Sequence, residues 1–332
     1  MSDLTLAAWG AFLRPAFGDV LREVGIGIVD IPGDSSPVDL APDCDALYVR
    51  LPQYASEEVI AALPHLKVLA VPGAGIEVID IDAATQHGIP VLSGRGMGHE
   101  AVADWTIGSI LWLTRRIGAI HEAMSTGKWE RRFDIEERRD LHRLTVGVIG
   151  YGQIGARVAS ILATGFGSRV FIHDSSPVAE RAAADSGYDV VGLAALIRES
   201  DVVSIHAQAK HGEPPLLSAE LLATMKPTAV LVNTARGALL DYPAVLAALD
   251  DNRLAGAALD VFDQEPPTPE LIEKLRRHPN VLLSPHQAGM TIDATDSLAI
   301  GVATSVVDVL RGGRPANCAN PEVWAAAADA VT

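Results

Sequence analysis

The segment that most restricts how this chain can fold is LTVGVIG (144–150), an apolar run of strand character. It feeds without a break into Gly150-Tyr151-Gly152-Gln153-Ile154-Gly155 and then into ARVASILATGFG, whose apolar spacing is helical. In such a strand–turn–helix unit the glycines serve a tight turn, a close backbone approach to a pyrophosphate, and close helix–strand packing. The helix N-terminus then presents unpaired N–H groups and the positive end of its dipole to phosphate. Asp174 closes the next strand-like run, SRVFIHD (168–174), nineteen residues past Gly155. A carboxylate there accepts hydrogen bonds from the adenosine ribose hydroxyls and repels a 2′-phosphate. Ser175, Ser176 and Pro177 add no cation for such a phosphate, although Arg181 stands one turn into the following helix. A Gly-rich turn needing positive φ, and a plain helix N-cap at Asp174, are the ordinary alternatives. Strand, helix and acid together favour dinucleotide binding, with NAD preferred over NADP.

Around that unit the chain alternates strand and helix twice. The first hundred residues read LTLAAWG, ALYVRL (46–51), SEEVIAAL (56–63), LKVLAV (66–71), IDAATQHG (81–88) and IPVLS (89–93), the pattern of a parallel sheet with crossover helices. A Gly-rich break, SGRGMGHE (93–100), leads into AVADWTIGSILWLTRRIGAIHEAM (101–124), read as one helix long enough to join two domains. The second alternation holds six strand-like runs: LTVGVIG, SRVFIHD, DVVSIH (201–206), AVLVNTA (229–235), LAGAALDVF (254–262) and NVLLSPH (280–286), which fit a doubly wound sheet. Residues beyond about 290 form no further strand–helix unit and are expected to pack back on the first domain. The expected fold is α/β with two parallel-sheet domains. At 332 residues, two cores are also what length favours.

Charge narrows the partners. With 26 Lys and Arg against 42 Asp and Glu, the formal net charge of -16 opposes general attraction to nucleic acid or to an anionic membrane. No apolar run reaches the length of a membrane span, and the N-terminus lacks a basic region leading into an apolar core, so a soluble cytoplasmic protein is expected. Cys44 and Cys318 have no metal-ligand spacing and are too few for a disulfide framework, and no metal site is predicted.

Three more residues stand at ends of later strands, the edge that faces the ligand crevice of an open α/β sheet. Arg236 follows AVLVNTA, Glu265 follows the run ending in Asp260-Val261-Phe262, and His286 follows Pro285. Taken singly, each has a bland reading: a surface ion pair, a solvated loop acid, a residue opening a helix. Jointly they supply a cation for a carboxylate, an imidazole for proton transfer and an acid to orient it, which is what reduction of a 2-oxo acid requires.

Four ordered blocks now carry a family resemblance: the glycine motif with Asp174, NTARGALLD (233–241), ALDVFDQEP (258–266) and SPHQAG (284–289). They resemble the D-isomer-specific 2-hydroxyacid dehydrogenases. The likeness extends upstream to VPGAGIEVIDIDAATQHGIPVLS (71–93) and AVADWTIGSIL (101–111), and downstream to RPANCANPEV (314–323). It implies a flavodoxin-like substrate domain made of residues 1–100 plus 290–332, an NAD-binding Rossmann domain over 101–289, and an active site in the cleft between them. It implies Arg236 on the substrate carboxylate and carbonyl, His286 as proton donor or acceptor, and Glu265 holding the imidazole. Backbone N–H groups of Ala74 and Gly75 would grip the carboxylate. For NAD, Gly150, Gly152, Gln153, Ile154 and Gly155 would lie at the pyrophosphate, Asp174 at the ribose, and Thr234, Ala235 and Asp260 near the nicotinamide. Family members also form homodimers. The apolar side chains of 101–124, among them Trp105, Ile107, Ile110, Leu111, Trp112, Leu113 and Ile117, exceed what one helix face buries in a small domain, so an interface is expected there.

The chain departs from the family pattern at Asp104, where Glu is usual, and at Gly75-Ile76-Glu77, where Gly-Val-Asp is usual. His206-Ala207-Gln208-Ala209-Lys210 replaces His-x-Pro-x-Thr, and Gln287 follows His286 in place of an apolar residue. Arg50 resembles a cation that phosphoglycerate dehydrogenases place near their substrate, and a solvated surface arginine is the competing reading. Two other functions share the fold: an NAD(H)-sensing corepressor-like binding protein, and a dehydrogenase of the formate or phosphite type.

Overall fold

Short runs of β-branched and small apolar residues, buried on both faces, build two all-parallel sheets in two compact units, Met1–Gly98 with Thr291–Thr332 and His99–Met290. The computed structural model describes residues 4–10, 14–50, 52–73, 75–129, 138–209 and 212–324.

In the first unit β1 (Thr5–Trp9), β2 (Gly27–Ile31), β3 (Ala46–Val49), β4 (Val68–Ala70) and β5 (Val91–Leu92) pair in the order β2-β1-β3-β4-β5, the flavodoxin-like arrangement. Alternate residues divide between two cores. Ala7, Trp9, Leu47, Val49 and Leu69 face one side. Leu6, Ala8, Tyr48, Val68 and Ala70 face the other, under Phe17 and Leu21 of helix Pro15–Glu23 and under Val302, Ala303 and Val306 of helix Ile292–Leu310. The segment after that last helix returns to the sheet. Cys318 bridges Leu92 in antiparallel fashion. The buried Asn320 side chain accepts from the Val91 N–H (2.8 Å) and donates to the Ile89 carbonyl (3.0 Å).

In the second unit β6 (Thr145–Ile149), β7 (Arg169–His173), β8 (Asp189–Val190), β9 (Val202–Ile205), β10 (Val230–Asn233), β11 (Gly256–Leu259) and β12 (Val281–Leu283) pair in the order β12-β11-β10-β9-β6-β7-β8. The strand order reverses between β6 and β9, the place where open α/β sheets bind ligands. Register then aligns the chemistry. Ile149 pairs with His173 and Ile205, Asn233 with Ile205 and Leu259, and Leu259 with Leu283. Asp174, Gly150, His206, Thr234, Asp260 and Ser284 therefore stand in one row, one step past the carboxyl end of each strand.

Three expectations change. The sheet has seven strands rather than six, because the two-residue edge strand β8 is too short to leave a pattern. In the first unit the sequence pattern does not signal β2. It is an edge strand with only Ile31 buried, so GIVDI lacks the apolar signature of its neighbours. The helix expected over 101–124 is two helices, His99–Thr114 and Ile117–Ser125, broken at Arg116, whose φ of 53° is left-handed. The Trp112 ring lies so close over Gly118 that an added Cβ would stand 2.1 Å from it, so the start of the second helix packs under the last turn of the first. The apolar surplus shrinks accordingly. Ile107, Ile110 and Leu113 enter the unit's own core, with Trp105, Leu111 and Trp112 packed at its margin. The exposed face belongs to Ile117, Ile120 and Met124, spaced to share one side of the second helix.

Candidate active site

Strand β6 runs into Gly150 at φ +94°, and a Cβ there would come 2.7 Å from the backbone of His206 and Ala207. Only glycine lets the turn lie against the end of β9. A Cβ on Gly155 would stand 1.9 Å from the Gly150 carbonyl oxygen, so this glycine seats helix Gln153–Ser160 on the strand it follows. Gly152 is different, since a Cβ on it would meet nothing within 4 Å. It is the helix N-cap and no side chain caps the helix. The first intrahelical bond runs from the Ala156 N–H to the Gly152 carbonyl (2.9 Å). The N–H groups of Gln153, Ile154 and Gly155 precede it and have no intrahelical partner. Such a cradle fits the pyrophosphate of a dinucleotide.

Asp174 closes this loop from the neighbouring strand. Its Oδ2 accepts from the Tyr151 N–H (2.7 Å) and its Oδ1 from the Ser176 N–H (2.8 Å). The capping role on the next helix is taken by Ser176, whose hydroxyl accepts from the Ala179 N–H, so Asp174 is not the plain N-cap. Each carboxylate oxygen keeps a lone pair for a ribose hydroxyl.

At the ends of β10, β11 and β12 the three chemical residues converge within the second unit. Buried Asn233 shapes the first loop: its Oδ1 accepts from the Ala235 N–H (3.0 Å), and its Nδ2 donates to the Arg236 carbonyl (2.9 Å). The half-buried guanidinium of Arg236 donates to the Ala235 carbonyl (2.8 Å), and no carboxylate pairs with it among the described residues. Gly237 brings this loop against the next one, since a Cβ there would lie 1.9 Å from the Phe262 carbonyl carbon. On that second loop Glu265 Oε1 accepts from the Phe262 N–H (3.0 Å), and Glu265 Oε2 is 2.7 Å from His286 Nδ1. With Nδ1–H given to the carboxylate, Nε2 is the nitrogen left to exchange a proton.

His286 itself sits at φ +54°, unusual for a side chain with a Cβ. Asp260 holds it there. The backbone carbonyl of Asp260 accepts from the His286 N–H (2.7 Å). Its buried carboxylate accepts from the Ser284 hydroxyl and from the Gln287 (2.8 Å) and Ala288 (3.0 Å) N–H groups. His286 thus stands in the loop three residues past β12 and does not open a helix, the next helix starting at Ile292. Beneath the row, His206 and Thr234 join a polar chain with Ser204 and Thr106. Asn233, Ser284 and this chain carry no sequence signature of their own. The Asn before Thr-Ala-Arg, a residue type that bonds its own backbone two residues on, is the one cue to them.

The remaining expected residues lie elsewhere. Gly75 is in the first unit, after β4, with the Glu77 carboxylate folded over it so that a Cβ would stand 2.2 Å from Oε2. Ala74 and Lys210 lie outside the described residues. Arg50 follows β3 and is half-buried, and Asp104 is exposed on helix His99–Thr114.

A family model described as "D-isomer specific 2-hydroxyacid dehydrogenase, NAD binding domain" matches residues 107–288. A glyoxylate reductase of Thermofilum pendens is 36% identical over 283 residues, 85% of this chain and 83% of that protein. A D-3-phosphoglycerate dehydrogenase of Synechocystis is 33% identical over 303 residues, which make up 89% of this chain and 53% of that longer protein. Among solved structures, TP0037 of Treponema pallidum, a D-lactate dehydrogenase, matches with a TM-score of 0.82 at 26% identity, covering 95% of this chain and 99% of that one.

Proposed function

The chain belongs to the D-isomer specific 2-hydroxyacid dehydrogenase family, and we propose that it interconverts a small D-2-hydroxy acid and its 2-oxo acid, with Arg236, Glu265 and His286 as the groups that act on substrate. It is an NAD-dependent oxidoreductase. The observation that carries the assignment of roles is the pairing of His286 Nδ1 with Glu265 at 2.7 Å, beside a loop whose Arg236 has no carboxylate partner among the described residues. When bound, NAD supplies the hydride or takes it up. Arg236 binds the substrate carboxylate and polarises the carbonyl. His286 gives a proton from Nε2 to the carbonyl oxygen in reduction and takes it back in oxidation. Glu265 accepts from His286 Nδ1 and fixes the ring.

The N–H groups at Gly152–Gly155 hold the pyrophosphate, Asp174 the adenosine ribose, and Thr234, Ala235 and Asp260 border the nicotinamide. The related glyoxylate reductase, phosphoglycerate dehydrogenase and D-lactate dehydrogenase act on acids that differ only beyond C2, which supports a 2-oxo acid and leaves its substituent to experiment. The protein works in the cytoplasm as a homodimer, a reading supported by its two free cysteines and by the exposed Ile117, Ile120 and Met124 face.

The test is NADH oxidation by the purified chain with glyoxylate, hydroxypyruvate, phosphohydroxypyruvate, pyruvate and branched 2-oxo acids. Turnover of at least one, giving the D-hydroxy product, is expected. Binding of NADH with no turnover of any would favour a sensing protein, and turnover of formate or phosphite alone would replace the substrate class.

A further inference from the structure

His206 is a titratable side chain at the reversal point of the second sheet, and the reaction described above does not use it. Its surroundings assign its protons. Ser204 on β9 and His206, one step past its end, are two apart and face the same side of the sheet as Val202, the side covered by helix His99–Thr114. Ser204 Oγ is 2.8 Å from His206 Nε2, His206 Nδ1 is 3.4 Å from Thr234 Oγ1, and Thr234 Oγ1 is 3.5 Å from Thr106 Oγ1. Thr106 is buried on the covering helix and donates its hydroxyl proton to the Val102 carbonyl (2.8 Å).

Only one direction satisfies every member. Ser204 is fully buried, and His206 is the one acceptor its hydroxyl has among the described residues, so Ser204 donates to Nε2. The ring is then the Nδ1–H tautomer and donates to Thr234. The Thr234 hydroxyl in turn donates to Thr106, whose own proton is already given to Val102. A protonated ring would leave the Ser204 hydroxyl without an acceptor, and burial independently pushes the His206 pKa down to about 3.

We propose that His206 is a positioning residue: through this one-way chain from Ser204 it fixes the Thr234 hydroxyl, and with it the start of the Thr234–Arg236 loop at the nicotinamide end of the cofactor site. The Gly150 turn lies against the His206 backbone from the other side, so the same residue touches both halves of that site. The inference rests on the reading of Thr234 and Arg236 given above.

Two nearly isosteric variants separate positioning from support. In His206→Asn the new side-chain amide would replace Nδ1–H and keep the donor to Thr234 while abandoning Ser204. His206→Gln reaches Ser204 and abandons Thr234. NADH affinity is read on the full chain by fluorescence titration, with Tm measured alongside. His206→Gln is expected to be at least as stable as His206→Asn, yet to bind NADH about tenfold more weakly than the wild type, the scale of a lost buried hydrogen bond. His206→Asn should bind at least about fivefold better than His206→Gln. Thr234→Val should weaken NADH binding by a similar factor, and adding His206→Gln to it should cost nothing further. If affinity follows stability, so that Gln is equal to Asn or better, or if the two losses multiply, the proposal is overturned while the role of Thr234 stands. If Thr234→Val binds NADH like the wild type, both fall.

Discussion

Alanine at Gly152 and at Gly155, one at a time, should separate the glycine that faces the cofactor from the glycine that packs the helix. The methyl of Gly155→Ala would start 1.9 Å from the Gly150 carbonyl oxygen, against ordinary contact from 3.4 Å, so helix and turn must part by about 1.5 Å. Overpacking of that kind costs about 1–3 kcal/mol, and each kcal/mol moves Tm by roughly 2–4 °C in a unit of this size. A fall of about 2–12 °C without cofactor is expected. Gly152→Ala puts its methyl where nothing lies within 4 Å, at φ −79° and ψ −166°, a conformation open to any residue. Alanine is a poorer N-cap than glycine, so the unliganded chain should lose no more than about 1 kcal/mol, or roughly 3 °C. The same methyl occupies the space through which the pyrophosphate approaches the helix N-terminus, and NADH affinity should fall at least about tenfold. Thermal unfolding without cofactor and fluorescence titration with NADH measure the two effects. Wild-type affinity in Gly152→Ala, or wild-type stability in Gly155→Ala, would refute the division of labour.

NAD should be used at least about tenfold more efficiently than NADP if Asp174 holds the adenosine ribose as proposed, since its carboxylate would repel a 2′-phosphate. Asp174→Ala should narrow that ratio in steady-state assays and also lower Tm, since the carboxylate ties down the Tyr151 and Ser176 N–H groups. His206 is half-buried and desolvated, which lowers its pKa to about 3 from an ordinary 6.5, so below pH 6.5 the unfolded chain takes up a proton that the folded chain does not. Its contribution to stability is therefore lost progressively as pH falls from about 6.5 toward 3. Tm measured across that window should fall less steeply in His206→Asn than in the wild type, and parallel curves would count against the assignment. Light scattering should give twice the 35.0 kDa chain mass, and Ile120→Asp together with Met124→Asp on the exposed face should return the monomer mass with NADH binding retained.

Much of this was legible in the residues because parallel strands buried on both faces leave continuous apolar runs, and the Gly150–Gly155 turn allows few conformations. Arg236, Glu265 and His286 were visible as charged residues directly after such runs. The partner of each group was not visible. Asp260 reads as one more acid at a strand end, yet its carboxylate is buried under three donors from Ser284, Gln287 and Ala288, contacts that exist only once β11 and β12 are in register. The Ser204–His206–Thr234–Thr106 chain joins residues up to 128 positions apart, through a face that only the covering helix defines. The helix break falls at Arg116, a left-handed residue that is not itself glycine, and the glycine two residues on, which lies under the Trp112 ring, reads in the sequence as an ordinary small helical residue. Edge strands β2 and β8 escaped because an edge need not be apolar.

The central claim is that His286, oriented by Glu265, moves the proton while other groups hold the cofactor. Its most direct test is His286→Ala, compared with the wild type on the best 2-oxo acid of the panel, with NADH affinity measured separately by fluorescence. Turnover should fall roughly a hundredfold or more, within the usual contribution of about 10²–10⁴ for a general acid–base group, while the NADH dissociation constant stays nearly unchanged. Near-normal turnover in that variant, or a loss explained entirely by failure to bind NADH, would contradict the account.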